Sequence, residues 1–213
     1  MAVPIVFTKS LAAASSTAIA ASQAGSAGVA LTLTSATVTI DTATAANSAI
    51  GRQVTISYTG TDTSFKIVGT NSTGNPITDT AVGSSGTAVS NLNFVTVSSI
   101  TPVGGGLTGV TAGTNGVGAS PWIMANWHVA MINIGFAVEL VSGAVNYTVQ
   151  YTYDDPNNLL GGAAFPLAFS DPVVAGASAN ADGSYTNPIA ALRVLINSGT
   201  GEIRMRVLQS GIG

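Results

Sequence analysis

The chain lacks cysteine altogether and carries few charges among its 213 residues. Without cysteine, disulfides and thiolate metal sites are excluded. Charged residues make up 7 % of the chain, against about 25 % in an ordinary soluble domain. The six Lys and Arg residues form no basic cluster, and the net charge is −3. Because nucleic-acid binding requires neutralised phosphates, we expect no nucleic-acid partner.

The shortage of charged residues limits which side chains can cover the surface. Outward-facing positions must be filled by Ser, Thr, Asn, Gly and Ala, which lose little hydration free energy on contact with another protein. Such a surface suits extensive packing against neighbours, whereas a charged one favours a soluble monomer. Low charge also occurs in secreted β-proteins and in disordered linkers. Regular apolar alternation along most of the chain argues against disorder.

No segment approaches the ~20 consecutive apolar residues of a membrane-spanning helix, so we expect no membrane partner. The Ala-rich stretch over residues 11–21 has faint signal-peptide character. Hydroxyl residues interrupt it and no basic region stands at the N-terminus, so we expect no signal peptide.

Residues with catalytic chemistry are few and scattered. The single histidine is His128, and it has neither a second histidine nor a cysteine to act with. Asp154 and Asp155 are adjacent, so on an extended chain they point to opposite faces and cannot flank one bond. With Asp171 and Asp182 they do not form a spaced calcium loop. We therefore expect no catalytic, cofactor or metal site, and a protein that is not an enzyme.

The dominant pattern is an alternation of period two, which predicts strands from Val29 onward. Its strongest instance is the set of apolar residues at alternate positions from Val145 to Tyr153. Turn residues over 71–76 predict a hairpin with a loop of about five residues, and those over 83–86 predict another turn. The residues over 197–201 predict a second hairpin, between the strands on either side. No segment has a convincing helical period. The sequence therefore predicts an all-β, antiparallel β-sandwich or jelly-roll-like fold.

Composition suggests how the chain divides. Residues 1–24 read as an extended, partly helical N-terminal arm lying along a neighbouring subunit, or as a frayed terminus. The stretch 102–118 has seven glycines and reads as a loop between modules. We expect one β module over 25–112 and a second over 113–213, or a single continuous β-sandwich.

Two blocks of sequence resemble small, β-rich virion proteins of tailed phages, and together they span most of residues 50–210. The first includes Arg52-Gln-Val-Thr-Ile-Ser57, Phe65-Lys-Ile-Val-Gly-Thr70 and Phe94-Val-Thr-Val-Ser-Ser-Ile-Thr101. The second includes Val145-Asn-Tyr-Thr-Val-Gln-Tyr-Thr-Tyr-Asp-Asp-Pro156, Pro188-Ile-Ala-Ala-Leu-Arg193 and Ser198-Gly-Thr-Gly201. The resemblance implies a component of the virion, without separating head from tail, and it supplies no catalytic residues.

The leading expectation is a capsid decoration (cement) protein that packs on major capsid subunits, is itself homo-oligomeric, and lies on the virion. One alternative is a tail, collar or head–tail connector component. Another is a carbohydrate-binding or adhesin module, for which Tyr151, Tyr153 and the tryptophans are the candidate aromatics. The candidate interface residues are the arm side chains Val3, Ile5 and Phe7 and the aromatic side chains Trp122 and Trp127. The two tryptophans could equally belong to the core.

Overall fold

The computed structural model describes residues 5–40, 50–126, 133–158 and 166–209. Within these ranges no residue is helical, and the registered strand pairs are antiparallel. The predicted all-β, sandwich-like fold is thereby confirmed. The strands are β1 (Ile5–Ser10), β2 (Ser15–Gly25), β3 (Val38–Thr39), β4 (Gly51–Thr59), β5 (Ser64–Thr70), β6 (Pro76–Ser84), β7 (Thr87–Phe94), β8 (Thr96–Pro102), β9 (Leu107–Ala119), β10 (Ile123–Met124), β11 (Ile134–Ser142), β12 (Val145–Thr152), β13 (Phe169–Ser170), β14 (Ala181–Tyr185), β15 (Ala191–Gly199) and β16 (Glu202–Gln209).

The strands fall into two units. Unit 1 contains the described residues of Met1–Leu11 and Ala119–Gly213, and unit 2 contains those of Ala12–Thr44 and Ser48–Gly118. Unit 2 ends at Gly118 and unit 1 resumes at Ala119. The composition placed this boundary at 112/113. Residues 5–11 belong with the C-terminal half, which no local composition could indicate.

Unit 1 contains a four-stranded sheet in the order β1-β16-β11-β14 and a second set of strands in the order β13-β12-β15, with β10 beside β15. Alternate side chains of both sets are buried, as period two requires. The buried positions are Ile134, Phe136 and Val138 on β11, Ile203, Met205 and Val207 on β16, Val145, Tyr147 and Val149 on β12, and Leu192, Val194 and Ile196 on β15.

The predicted hairpin between β15 and β16 is wrong. β15 pairs with β12, whereas β16 pairs with β1 and β11 in the other sheet, so the turn between them carries the chain across the sandwich. The turn at Gly143 does the same between β11 and β12. Both turns use a glycine with positive φ, 69° at Gly143 and 94° at Gly199. An alternating pattern defines the two faces of a strand, but it does not define the strand's hydrogen-bonded partner.

Unit 2 has the strand order β9-β4-β7-β6-β5-β8-β3, with β2 beside β9. β6 pairs with β5 over Pro76–Val82 and then with β7 through Gly83 and Ser84, so one strand serves two neighbours in succession. The predicted loop over 71–75 is confirmed as the β5–β6 turn. The Asn71 side-chain oxygen accepts hydrogen bonds there from the backbone N–H groups of Thr73 and Asn75. The core of unit 2 is apolar and includes Val54, Ile56, Phe65, Ile67, Phe94, Ile100 and Val110.

The N-terminal segment differs from the expected arm. Its described part forms β1, paired with β16 from Ile5 to Ser10, and most of β2, which lies beside β9. The chain between them is held by Arg52, which is fully buried. Its Nη1 donates to the Ala12 carbonyl at 3.0 Å, and its Nη2 donates to the Asn115 carbonyl. A buried guanidinium requires such acceptors, so Arg52 ties the start of unit 2 to β9.

The glycine-rich stretch that reads as a loop is also different. From Leu107 to Ala119 it is β9, a strand of 13 residues. A Cβ at Gly113 would overlap the backbone of Ser15 and Ser16 on β2. Glycine in a strand often marks such a close backbone approach, and here it permits the N-terminal strand to lie against β9.

Candidate functional site

A row of aromatic rings runs through unit 1 from the core to the surface. Phe136 on β11 is buried and stacks on Tyr185 of β14, with ring centroids 5.5 Å apart. Tyr185 lies 5.3 Å from Tyr151 on β12, and Tyr151 stacks on Phe169 of β13 at 5.6 Å. Tyr153 contacts Tyr151 edge-on at 5.7 Å. These separations lie in the favourable range for aromatic pairs, so the rings hold one another in place.

The row ends on an exposed patch because the apolar face of β12 continues past the last covered residue. Tyr147 and Val149 are fully buried, whereas Tyr153, on the same alternating face, is 58 % exposed. Phe169 is 39 % exposed and Leu167 is 61 % exposed. We call Tyr151, Tyr153, Leu167 and Phe169 the aromatic end surface.

Backbone hydrogen bonds fix the segment that carries Leu167 and Phe169. Phe169 is in register with Tyr151 across the β12–β13 pair. The Leu167 N–H donates to Asp154 Oδ2 at 2.7 Å. Asp154 is one of the two adjacent acidic residues noted in the sequence. Its carboxylate thus fixes the backbone at Leu167, at the edge of the aromatic end surface.

Asp171 fixes the backbone just after β13 through hydrogen bonds. Its carboxylate is buried, and its Oδ1 accepts from the backbone N–H groups of Val173 and Val174 at 2.9 Å each. Its own N–H donates to the Val149 carbonyl at 2.8 Å. A carboxylate held by backbone N–H groups needs no cation partner. Asp171 therefore has a structural role in anchoring the loop after β13.

Two tyrosines of the row, Tyr151 and Tyr185, hold their phenol protons more tightly than a free tyrosine does. Burial raises the pKa of Tyr185 far above its usual value, and the Asp171 carboxylate raises it further. Burial also raises the pKa of Tyr151, with an added contribution from Tyr153. Since phenolate is disfavoured at Tyr151, this residue presents a neutral hydroxyl to the aromatic end surface.

A second feature of unit 1 is an arginine stacked on a tryptophan. Arg193 on β15 lies opposite Gln150 on β12, and its Nε donates to Gln150 Oε1 at 2.9 Å. Its guanidinium carbon lies 4.4 Å from the centre of the Trp122 ring, within cation–π range. Burial lowers the pKa of Arg193 to about 10, so the group keeps its charge at neutral pH.

The interface residues predicted from the sequence have different environments. Ile5 is about half exposed on β1, and Phe7 is half-buried opposite Met205. Trp122 is half-buried beneath Arg193. Val3 and Trp127 lie outside the described residues, and so does His128. That these five residues form an interface therefore stays a prediction.

Sequence reasoning missed Phe169, Tyr185 and Leu167. Phe169 lies in a two-residue strand and Tyr185 ends a five-residue one. Neither has a long alternating run to identify its face. Only the pairing of β13 with β12, and of β14 with β11, brings these side chains to Tyr151. The signal that could have found them is the presence of a lone aromatic in each of two short polar segments.

Over the described parts of the chain, no group of three or more His, Cys, Asp or Glu side chains could hold a metal ion. The same residues include no helix that is long and apolar enough to cross a membrane.

Comparison of the chain with protein-family models, with curated protein sequences and with solved structures gives no significant match. The functional argument therefore depends on the chain's own residues.

Proposed function

We propose that this chain is a non-enzymatic structural subunit of a tailed-phage particle, which decorates the head by packing on major capsid subunits. The observation that carries the proposal is the aromatic end surface on a chain with 7 % charged residues. Aromatic side chains are enriched in protein interfaces, whereas Lys, Glu and Asp are depleted there. Aromatic rings that already pack on one another lose little side-chain entropy when a neighbouring protein covers them.

The expected contribution of the surface is moderate for each copy. Full burial of a large apolar side chain is worth about 1.5–3 kcal/mol. In the folded chain, the side chains of Tyr153, Leu167 and Phe169 are between 39 % and 61 % exposed. Covering all three would therefore stabilise a complex by roughly 2–4 kcal/mol, using the same area scale. Association itself costs at least about 4 kcal/mol, so further contacts and many identical copies must contribute.

The same chemistry serves a tail, collar or head–tail connector component, and this is the nearest alternative. Contact surfaces do not distinguish these places, because each is an assembly of protein subunits. The number of copies in each particle does.

A second candidate function is carbohydrate binding, and the exposed Tyr153 ring, 5.8 Å from the Phe169 ring, favours it. A planar aromatic ring can pack against the apolar face of a sugar, while nearby polar groups bind the sugar hydroxyls. A glycan array with the purified chain tests this function. Specific binding to one class of sugar, lost in Tyr153→Ser, would favour an adhesin over a purely architectural subunit.

The leading proposal is tested by combining Tyr153→Ser with Leu167→Ser. Both side chains are more than half exposed, so we expect the folded chain to lose little stability. Binding to particles that lack the protein should weaken at least tenfold, because about 1.4 kcal/mol corresponds to a factor of ten.

Val29→Ser is the matched control, since Val29 is 60 % exposed in unit 2 and lies outside the aromatic end surface. It should leave particle binding unchanged. If the double variant binds as tightly as the parent while remaining folded, the aromatic end surface is not the contact.

A further inference from the structure

The guanidinium of Arg193 is positioned by two contacts and still has donors to offer. Nε is occupied by Gln150, and the ring of Trp122 lies against the guanidinium plane. Among the described residues, Nη1 and Nη2 have no hydrogen-bond acceptor and no acidic partner, yet neither is a fully buried unsatisfied atom. Arg193 is half-buried as a residue, so Nη1 and Nη2 are unused donors on a side chain that is only partly covered.

The described side chains on the β12 side of Arg193 are polar but uncharged. Beside Gln150 on β12 and β15 lie Asn146, Thr148 and Asn197, and the Asn197 amide donates to Asn146 Oδ1 at 2.8 Å and to Thr148 Oγ1 at 3.0 Å. These side chains satisfy one another, so they do not compensate the positive charge. Two other arginines of unit 1 differ, because Nη1 of Arg204 and Nη1 of Arg206 lie 3.6 Å and 2.8 Å from Glu139 Oε2.

We propose that Arg193, held by Trp122 and Gln150, is a binding site for a carboxylate supplied by an acidic side chain of a neighbouring protein subunit. The Nη1–Nη2 edge of a guanidinium matches the two oxygens of a carboxylate and forms two parallel hydrogen bonds. Since the stacked ring fixes the guanidinium plane, little rotamer entropy remains to be lost on binding. Only the source of the carboxylate rests on the proposed function, whereas the site itself does not.

The chemistry favours a carboxylate over other anions. A phosphate carries more charge and is usually held by several cations or by backbone N–H groups. Arg193 supplies one positive charge, and the polar neighbours that the structure describes beside it are amides and a hydroxyl. A single planar edge with one positive charge matches a single monovalent, planar anion.

The site is tested by NMR of the full-length chain, with the arginine Nε–H signals and the Trp122 indole N–H as reporters. The first probe is sodium acetate, titrated against sodium chloride at equal ionic strength. We expect a saturable shift of the Arg193 and Trp122 signals with acetate and none with chloride. Arg204 and Arg206 serve as internal controls, since Glu139 already occupies them. Shifts of equal size at all three arginines, or none at Arg193, would overturn the proposal.

Two variants distinguish the effect of the positive charge of Arg193 from the effect of its planar, ring-stacked guanidinium. Arg193→Lys keeps the charge and loses the planar fork, so the acetate response of the Trp122 indole should disappear. Trp122→Leu should weaken the Arg193 response by about two- to fivefold, in line with an exposed cation–π contact. If Arg193→Lys responds to acetate as the parent does, the two-point recognition is wrong.

The source of the carboxylate is tested with a blocked peptide containing one Asp and its Asn counterpart. Binding of the Asp peptide at least tenfold tighter than acetate, with no binding of the Asn peptide, supports a protein partner. Equal affinity for acetate and the Asp peptide would overturn the assignment to a protein side chain, while leaving the aromatic end surface and the proposed function to their own test.

Discussion

Gly113→Ala distinguishes the β9 strand from a flexible loop, because the two predict effects of opposite sign. In the structure, a Cβ at Gly113 overlaps the Ser15 carbonyl oxygen and the carbonyl carbons of Ser15 and Ser16. These are backbone atoms of β2, so they cannot rotate away, and the two strands must separate. In a loop without such a neighbour, replacing Gly by Ala would instead stabilise by about 0.4–1 kcal/mol, through the unfolded state.

The expected cost follows from overpacking. Inserting atoms into a closely packed site destabilises by about 1–3 kcal/mol. For a unit of about 100 residues, each kcal/mol lowers Tm by about 4–8 °C. Gly113→Ala should therefore lower the melting transition of unit 2 by about 5–20 °C, using the same scale. Far-UV circular dichroism during heating, checked by calorimetry, measures it.

The control is Gly135→Ala on β11, where an added Cβ has its nearest neighbour at 3.9 Å and φ is not positive. Removing a strand glycine without a clash should stabilise by about 0.5–1 kcal/mol. If Gly113→Ala raises Tm as Gly135→Ala does, β2 does not lie against Gly113 and the account of the N-terminal strands is wrong.

Two further predictions concern the N-terminus and pH. Deleting residues 1–11 removes β1 and exposes the edge of β16, so the truncated chain should lose its cooperative melting transition or melt at a much lower temperature; an arm would leave the melt unchanged. Alkaline pH should also destabilise the fold, because burial raises the pKa of Tyr58, Tyr147, Tyr151 and Tyr185. Below the unfolded pKa of about 10 both states hold these protons, and above it only the unfolded chain ionises freely, so Tm should fall as pH rises past about 10. A Tm that is the same at pH 8 and about pH 11 would contradict the burial of these phenols.

Local periodicity was enough to predict the fold class and several turns. The alternation from Val145 to Tyr153 predicts β12, and the turn residues after Thr70 predict the β5–β6 loop. Both signals are local: a strand shows its two faces in its own sequence, and a tight turn shows its own special residues.

The failures share a different cause, since they depend on contacts between distant segments. Gly113 reads as loop because nothing nearby in sequence shows that Ser15 crosses it. β1 reads as an arm because its partner β16 lies at the other end of the chain. Which strands pair depends on how all the buried faces pack together. The residues around one turn carry no information about that packing.

The candidate surfaces were predictable only in part, for the same reason. Tyr151 and Tyr153 are visible in the sequence as aromatic residues at the end of a strong strand. Their partners Phe169 and Tyr185 come from short strands with weak patterns. Trp122 was predicted as an interface or core residue, but its stacking on Arg193 depends on the placement of β10 and β15.

The central claim is that this chain is an assembly subunit of a phage particle, and the copy number in purified virions tests it most directly. Quantitative mass spectrometry of washed particles should find the chain on the order of hundreds of copies, in a simple ratio to the major capsid protein, as symmetric decoration requires. A ratio corresponding to far fewer copies would move the chain to the tail or collar. Its absence from washed particles would contradict the account.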